Sequence, residues 1–296
     1  MRWFLLLFAL SLAADDTAKV ELMAEGFRFP EGPSVDAQGN VYLVNIGDGV
    51  INRVSPDGKV GVFVDTGAGG NQSTVFDAEG NLWVCHNEPG RTGILKVDRQ
   101  GKITTIATAT ADGRPIPRTN DMVWGSEGRL YFTAPDSDQI HPAGEIFYLD
   151  TDGKTRSFAS GFAFANGIAI SPDKQYLYVG EERAAKNHGT LWRFKLKPDG
   201  SADPAGKEVF YDFSGRRFGF DGMKFDAEGG LWVAMFSESE VWRISAEGKK
   251  IDAIKIPGRN PTNIVFAGPG QKVAYVTVND KPGKLFRVQM PVAGAF

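Results

Sequence analysis

The chain has 296 residues, with 33 Lys plus Arg against 36 Asp plus Glu and a net charge of −3 at pH 7. Both signs are scattered along it, which excludes the basic stripe of a nucleic-acid binder and the acidic run of a disordered tail. Its 36 Gly, 16 Pro, 21 Phe, 7 Tyr and 6 Trp favour short strands joined by tight turns over a helical bundle, and the single Cys85 excludes an intrachain disulfide or a cysteine-built metal site.

At the start, Arg2 precedes an apolar run over residues 3–10, and small residues up to Ala14 precede Asp15 and Asp16. This pattern reads as a secretory signal over residues 1–14, which would send the mature chain to the periplasm or out of the cell. The run is shorter than the roughly 20 residues of a membrane-spanning helix, and no later segment reads as transmembrane.

From there a turn followed by a short apolar strand recurs six times. The turns open at Asp36, Asp77, Gly125, Ser171, Asp226 and Gly268; the strands after them carry Val41-Tyr42, Leu82-Trp83, Leu130-Tyr131, Leu177-Tyr178, Leu231-Trp232 and Val273-Ala274. Val41 to Val273 spans 232 residues in five intervals, a mean near 46, which matches a propeller blade of four strands. Another alternating segment follows each copy, as at 51–54 and 241–244, and five copies have a fourth, near 60–64, 103–107, 155–159, 208–212 and 251–256. The sixth copy runs out of chain after Val288, so residues 19–23 are expected to supply its outer strand. The predicted fold is all-β, a single six-bladed β-propeller over 15–296, its ring closed by the N-terminal strand joining the last blade.

Counting back five residues from each turn reaches the start of the innermost strand. The six residues there are Glu31, Gln72, Asn120, Asn166, Asp221 and Asn263, each a carboxylate or a carboxamide. Pseudo-symmetry converges them on the axis. Inward oxygens without Cys suit a hard divalent cation, with Glu31 and Asp221 neutralising it and Asn166 and Asn120 as neutral ligands. The bland alternative for any one position is a solvated channel lining.

The second strands end near Asn45, His86, Ala134, Glu181, Met235 and Thr277, on the face where the inner strands begin. His86 and Glu181 are therefore candidates for the pocket rim, and Arg118 for reaching over it to a polar substrate. Cys85 reads as a packed thiol, and His141 and His188 as surface residues of loop-like stretches. Asn71-Gln72-Ser73 fits a glycosylation sequon, but its place beside an inward Gln72 argues for coincidence. There is no HExxH, GxSxG, Walker or CxxC motif.

The chain resembles the SMP-30/gluconolactonase family of six-bladed propeller hydrolases over residues 29–288. The resemblance rests on Phe29-Pro30-Glu31-Gly32-Pro33, Arg118-Thr119-Asn120-Asp121, Phe164-Ala165-Asn166-Gly167-Ile168, Phe220-Asp221-Gly222-Met223 and Pro261-Thr262-Asn263. It implies a divalent metal held by Glu31, Asn166 and Asp221, with Asn120 near metal or substrate, Arg118 on the substrate, and Asp221 also serving in proton transfer. Asn45 and Ala134 stand where family members often carry acids, and Asp136 and Asp138 are the nearest counterparts of a substrate-binding acid.

The expected function is that of a secreted, metal-dependent hydrolase opening a sugar lactone. Its cofactor is one divalent cation, Ca²⁺ or alternatively Mg²⁺, Mn²⁺ or Zn²⁺. Arg118, Asn120 and His86 would bind the substrate and Asp221 would act as general base, with no nucleic-acid or membrane partner for the mature chain. Alternatives are a phosphotriesterase or arylesterase on the same metal site, a carbohydrate- or peptide-binding propeller with a structural ion, and a strictosidine-synthase-like propeller, which the acid pair disfavours. The oligomeric state is not legible.

Overall fold

The computed structural model describes residues 18–67, 69–135, 143–183, 188–215 and 219–296. The expected signal over 1–14, together with Asp136, Asp138 and His141, lies outside them. Among the described residues the strands form six four-stranded antiparallel sheets, the blades of a six-bladed propeller. In the first blade Pro30–Val35, Val41–Asn45, Val50–Val54 and Val60–Asp65 follow one another outward in chain order. The sixth takes Pro261–Ala267, Val273–Val278 and Gly283–Gln289 from the end of the chain and Val20–Phe27 from its beginning. Val20 pairs with Val288 and Phe27 with Gly283, so the closing strand runs past the expected Met23 and covers the edge of the last blade.

The repeated turn owes its form to its first residue. Asp36, Asp77 and Asp226 each accept the backbone N–H four residues on, at 2.9, 2.7 and 2.8 Å. Each also accepts the polar edge of the aromatic six residues on: the Tyr42 hydroxyl at 3.2 Å, Trp83 Nε1 at 2.8 Å and Trp232 Nε1 at 2.9 Å. Two of these rings and Tyr178, its counterpart in the fourth blade, reach across to the inner strand of the next blade. Tyr42 meets Phe76 edge-to-face at 5.1 Å, Trp83 meets Trp124 at 5.2 Å and Tyr178 meets Phe225 at 4.9 Å. An aromatic pair of this kind contributes about 0.5–1.5 kcal/mol beyond the area it buries. One short motif thus fixes a turn and fills the wedge between blades.

Cys85 is buried and free, as expected. Asn71 is fully buried, its Nδ2 donating to Gly49 O at 3.0 Å and Thr66 Oγ1 at 2.7 Å, so the sequon is closed to modification in the folded chain. His188 opens the strand His188–Leu196, opposite Arg183, rather than lying in a loop. Among the described residues no helix is long and apolar enough to cross a membrane.

Candidate active site at the propeller axis

Five of the six axial residues, Glu31, Gln72, Asn120, Asn166 and Asp221, line one cavity of about 260 Å³, together with Arg118 and Glu182. Phe29, Ile46, Phe164 and Phe236 complete its wall. The sixth, Asn263, is turned onto its neighbour, Nδ2 donating to Glu31 Oε2 at 3.0 Å.

The backbone explains how polar groups face the axis from strands that are otherwise apolar. Pairing to the second strand slips between Glu31 and Ser34, Asn71 and Ser73, Ala165 and Ile168, and Pro261 and Asn263. In the third blade Asn120 N and Asp121 O both bond Thr133, and in the fifth Asp221 N and Gly222 O both bond Ala234. Two residues against one is a bulge, which takes one side chain out of the alternation and re-aims it.

A glycine follows each of Glu31, Asn166 and Asp221, and each admits the next blade. A Cβ on Gly32 would stand 2.2 Å from Ser73 Cα, one on Gly167 2.3 Å from Asp221 O, and one on Gly222 1.9 Å from Asn263 Cγ. Side chains also bridge seams, Thr74 Oγ1 donating to Gly32 O between the first and second blades and Thr133 Oγ1 to Asn166 O between the third and fourth, both at 2.7 Å.

The cavity is crowded with acids. Glu31 is buried, and that burial, followed by the charge of Asp121, pushes its pKa from 4.5 to about 8. Asp221 is raised well above the usual carboxylate range, first by burial and then by Glu31, Glu182 and Asp121, with Asn166 opposing. Burial pushes Glu182 up to about 7 against the hydrogen bond from Asn166. Burial also lowers Arg118, which among the described residues has no ion-pair partner and stands 6.0 Å from the Phe164 ring.

Among the described residues, three of the buried oxygens without a hydrogen-bond partner belong to the inner ends of the blades: Glu31 Oε1, Asn166 Oδ1 and Asp121 Oδ2. Each such group costs about 1–3 kcal/mol, which a hard cation bound through oxygen offsets. Among the described residues no group of three or more His, Cys, Asp or Glu is placed to hold a metal ion. The set that fits one is mixed, the carboxylates of Glu31 and Asp221 with the amide oxygen of Asn166.

The expected rim residues do other work. His86 is fully buried and does not line the cavity; its Nδ1 meets Asn71 Oδ1 at 2.7 Å and its Nε2 meets Glu88 Oε2 at 3.3 Å. Burial lowers its pKa. Glu181 accepts Ala163 N and Trp192 Nε1, both at 2.8 Å, and Asn45 accepts Arg28 N and Phe29 N, both at 2.8 Å. Glu181 and Asn45 tie down the chain leading into the inner strands, where free backbone N–H groups need acceptors, while His86 holds the Asn71 side chain inside its blade. Glu182, the neighbour of the expected rim residue Glu181, lines the cavity in its place.

Residues 29–280, which include every cavity-lining residue, match the family model described as SMP-30/Gluconolactonase/LRE-like region. The chain belongs to this family. Lactonase drp35 of Staphylococcus aureus is 29% identical over 273 residues, covering 88% of this chain and 81% of the relative. A gluconolactonase from Xanthomonas campestris shares the fold at a TM-score of 0.77 and 23% identity, over 93% of this chain and 90% of that one. Regucalcin of Agrobacterium tumefaciens, a calcium-binding protein, does so at 0.76 and 24%, over 90% and 92%. The propeller ring and the family are thus those the sequence motifs imply.

Proposed function

We propose that this member of the family is an exported, metal-dependent hydrolase that opens a sugar lactone; the drp35 lactonases support the lactonase part of that reading. The observation that carries the reading is the axial oxygen set. Glu31 Oε1 and Asn166 Oδ1 are buried without donors in the same cavity as Asp221 and Arg118, which has no ion-pair partner among the described residues. Glu31, Asn166 and Asp221 would hold one dication, Ca²⁺ or alternatively Mg²⁺, Mn²⁺ or Zn²⁺. Bound there, it supplies Lewis-acid polarisation of the lactone carbonyl and activation of water.

The chain's own groups do the rest. Arg118, whose guanidinium has no ion-pair partner among the described residues, binds the polar face of the sugar, and Asn120 orients a hydroxyl or the ring oxygen. Phe29, Ile46, Phe164 and Phe236 limit the water that reaches the reacting ester. Asp221 accepts the proton of the attacking water at a carboxylate oxygen, a role worth roughly 10²–10⁴ in rate for a positioned base. Export rests on residues 1–14 alone.

The test is lactone hydrolysis by metal-stripped protein resupplied with each of the four ions, alongside Asp221→Asn. Turnover should require a cation and disappear in the variant, which should keep its strand signature by circular dichroism. Undiminished turnover in either case overturns the mechanism, and activity confined to phosphotriesters or aryl esters overturns the substrate class.

A further inference from the structure

We propose that Glu182 is a positioning residue for the cation site: it holds the Asn166 amide so that Oδ1, and not Nδ2, is offered to the metal. This deepens the metal-dependent reading above and rests on it.

Glu182 lies near the end of the strand Tyr176–Arg183, buried, its backbone N–H bonded to Phe164 O at 2.9 Å. Asn166 Nδ2 donates to Glu182 Oε1 at 3.0 Å and lies 3.5 Å from Phe220 O. Both partners are acceptors. The Phe220 carbonyl has no proton to give and Glu182 Oε1 accepts from Nδ2, so the amide presents its nitrogen to that side. Its oxygen is left buried with no hydrogen-bond partner.

Without such a constraint an asparagine is ambiguous. Turning the amide over exchanges O for NH₂ at almost the same shape and aims N–H groups at a cation. Glu182 opposes that alternative through the shorter of the two bonds to Nδ2, with Phe220 O behind it. Its neighbour Glu181 cannot, because its two oxygens are taken by Ala163 N and Trp192 Nε1. Glu31, Asp221 and Glu182 share the cavity, yet among the described residues no group of three acids is placed to hold a metal by itself. Glu182 works through Asn166.

The test is calorimetric titration with CaCl₂ of metal-stripped wild type, Glu182→Gln, Asn166→Asp and the double variant. Glutamine can donate to Asn166 Oδ1 and let the amide turn over, so Glu182→Gln should weaken Ca²⁺ binding about 10- to 100-fold, the usual effect of removing a ligand's outer partner. Aspartate at 166 has two equivalent oxygens and needs no orientation. In that background the loss should be smaller by about threefold or more, a coupling between the two sites. Similar losses in both backgrounds mean that Glu182 acts by charge or as a ligand, and overturn the proposal, as does unchanged affinity in Glu182→Gln. Glu182→Ser, whose hydroxyl also donates, gives the same comparison should the glutamine variant not fold. Wild type that binds none of Ca²⁺, Mg²⁺, Mn²⁺ and Zn²⁺ when each chloride is titrated in turn sinks the metal reading itself, and the positioning role with it.

Discussion

Asn263 donates its side-chain amide to Glu31 Oε2 at 3.0 Å, joining residues 232 positions apart across the seam between the last blade and the first. Beside it Thr262 Oγ1 donates to Pro30 O at 2.9 Å. The ring is therefore closed at the axis as well as at its outer edge. Glu31 already lacks a donor at Oε1, and losing Asn263 would strip Oε2 of its side-chain partner. Asn263→Ala should destabilise the metal-free protein by about 1–3 kcal/mol in urea unfolding. A loss below about 0.5 kcal/mol, the range of an ordinary surface substitution, would show that the bond does not hold the seam.

The raised acids set the pH dependence. Glu31 at about 8 and Glu182 at about 7, against an ordinary 4.5, mean that the folded chain binds more protons than the unfolded one between those limits. Stability of the metal-free protein then falls as pH rises through that window. His86 acts oppositely, its folded pKa lowered beneath 6.5, so its contribution is complete above that value. Between about pH 6.5 and about pH 8.5 the melting temperature of metal-free protein should therefore drop, and Ca²⁺ uptake near neutral pH should release protons. A flat or rising melting temperature contradicts the assignment.

The repeat and the axial register were legible because each has a local cause. Asp36, Asp77 and Asp226 must accept the N–H groups of their own turns, and a bulge at a constant distance before the turn makes the inward residue countable. The division of labour between Glu181 and Glu182 was not legible. Strand alternation alone puts one of two adjacent acids on the axis, but the slip between Ala165 and Ile168 resets the register by an amount only the fold reveals. His86 misled for a related reason. It stands at the right height, yet Asn71 beside it offers an acceptor inside the blade.

Gly167 tests the seam that carries Asp221. A methyl there would sit 2.3 Å from Asp221 O, so backbone must move. Gly167→Ala should cost about 1–3 kcal/mol of stability, as overpacking does. Because the displaced backbone bears Asp221, Ca²⁺ affinity should fall as well. Gly61→Ala, where nothing lies within 4 Å, is the control and should stay within about 0.5 kcal/mol of wild type. Equal behaviour of the two variants would remove any special role for the close approach.

His86 separates structure from substrate binding. Replacing it by Ala leaves Asn71 Oδ1 without its 2.7 Å partner and opens space in a fully buried site. The expected result is a stability loss of about 1–3 kcal/mol with KM for the lactone unchanged. A KM that rises with little loss of stability would return His86 to the binding site.

Arg118 should behave in the opposite way. Its guanidinium is held partly out of water, lowered by burial, with no ion-pair partner among the described residues. A charge kept in that state costs the folded protein something and gains a partner only when a polar ligand arrives. Arg118→Met keeps the aliphatic reach and the contact with Phe164 but removes the donors. It should leave thermal stability equal or slightly higher, while KM for a sugar lactone rises about 10- to 100-fold, the worth of a charge-assisted hydrogen bond of roughly 1.5–3 kcal/mol. Ca²⁺ affinity measured without substrate should not fall, because Arg118 is a cation and holds no ligand in place. Loss of stability with KM unchanged would instead mark Arg118 as part of the scaffold.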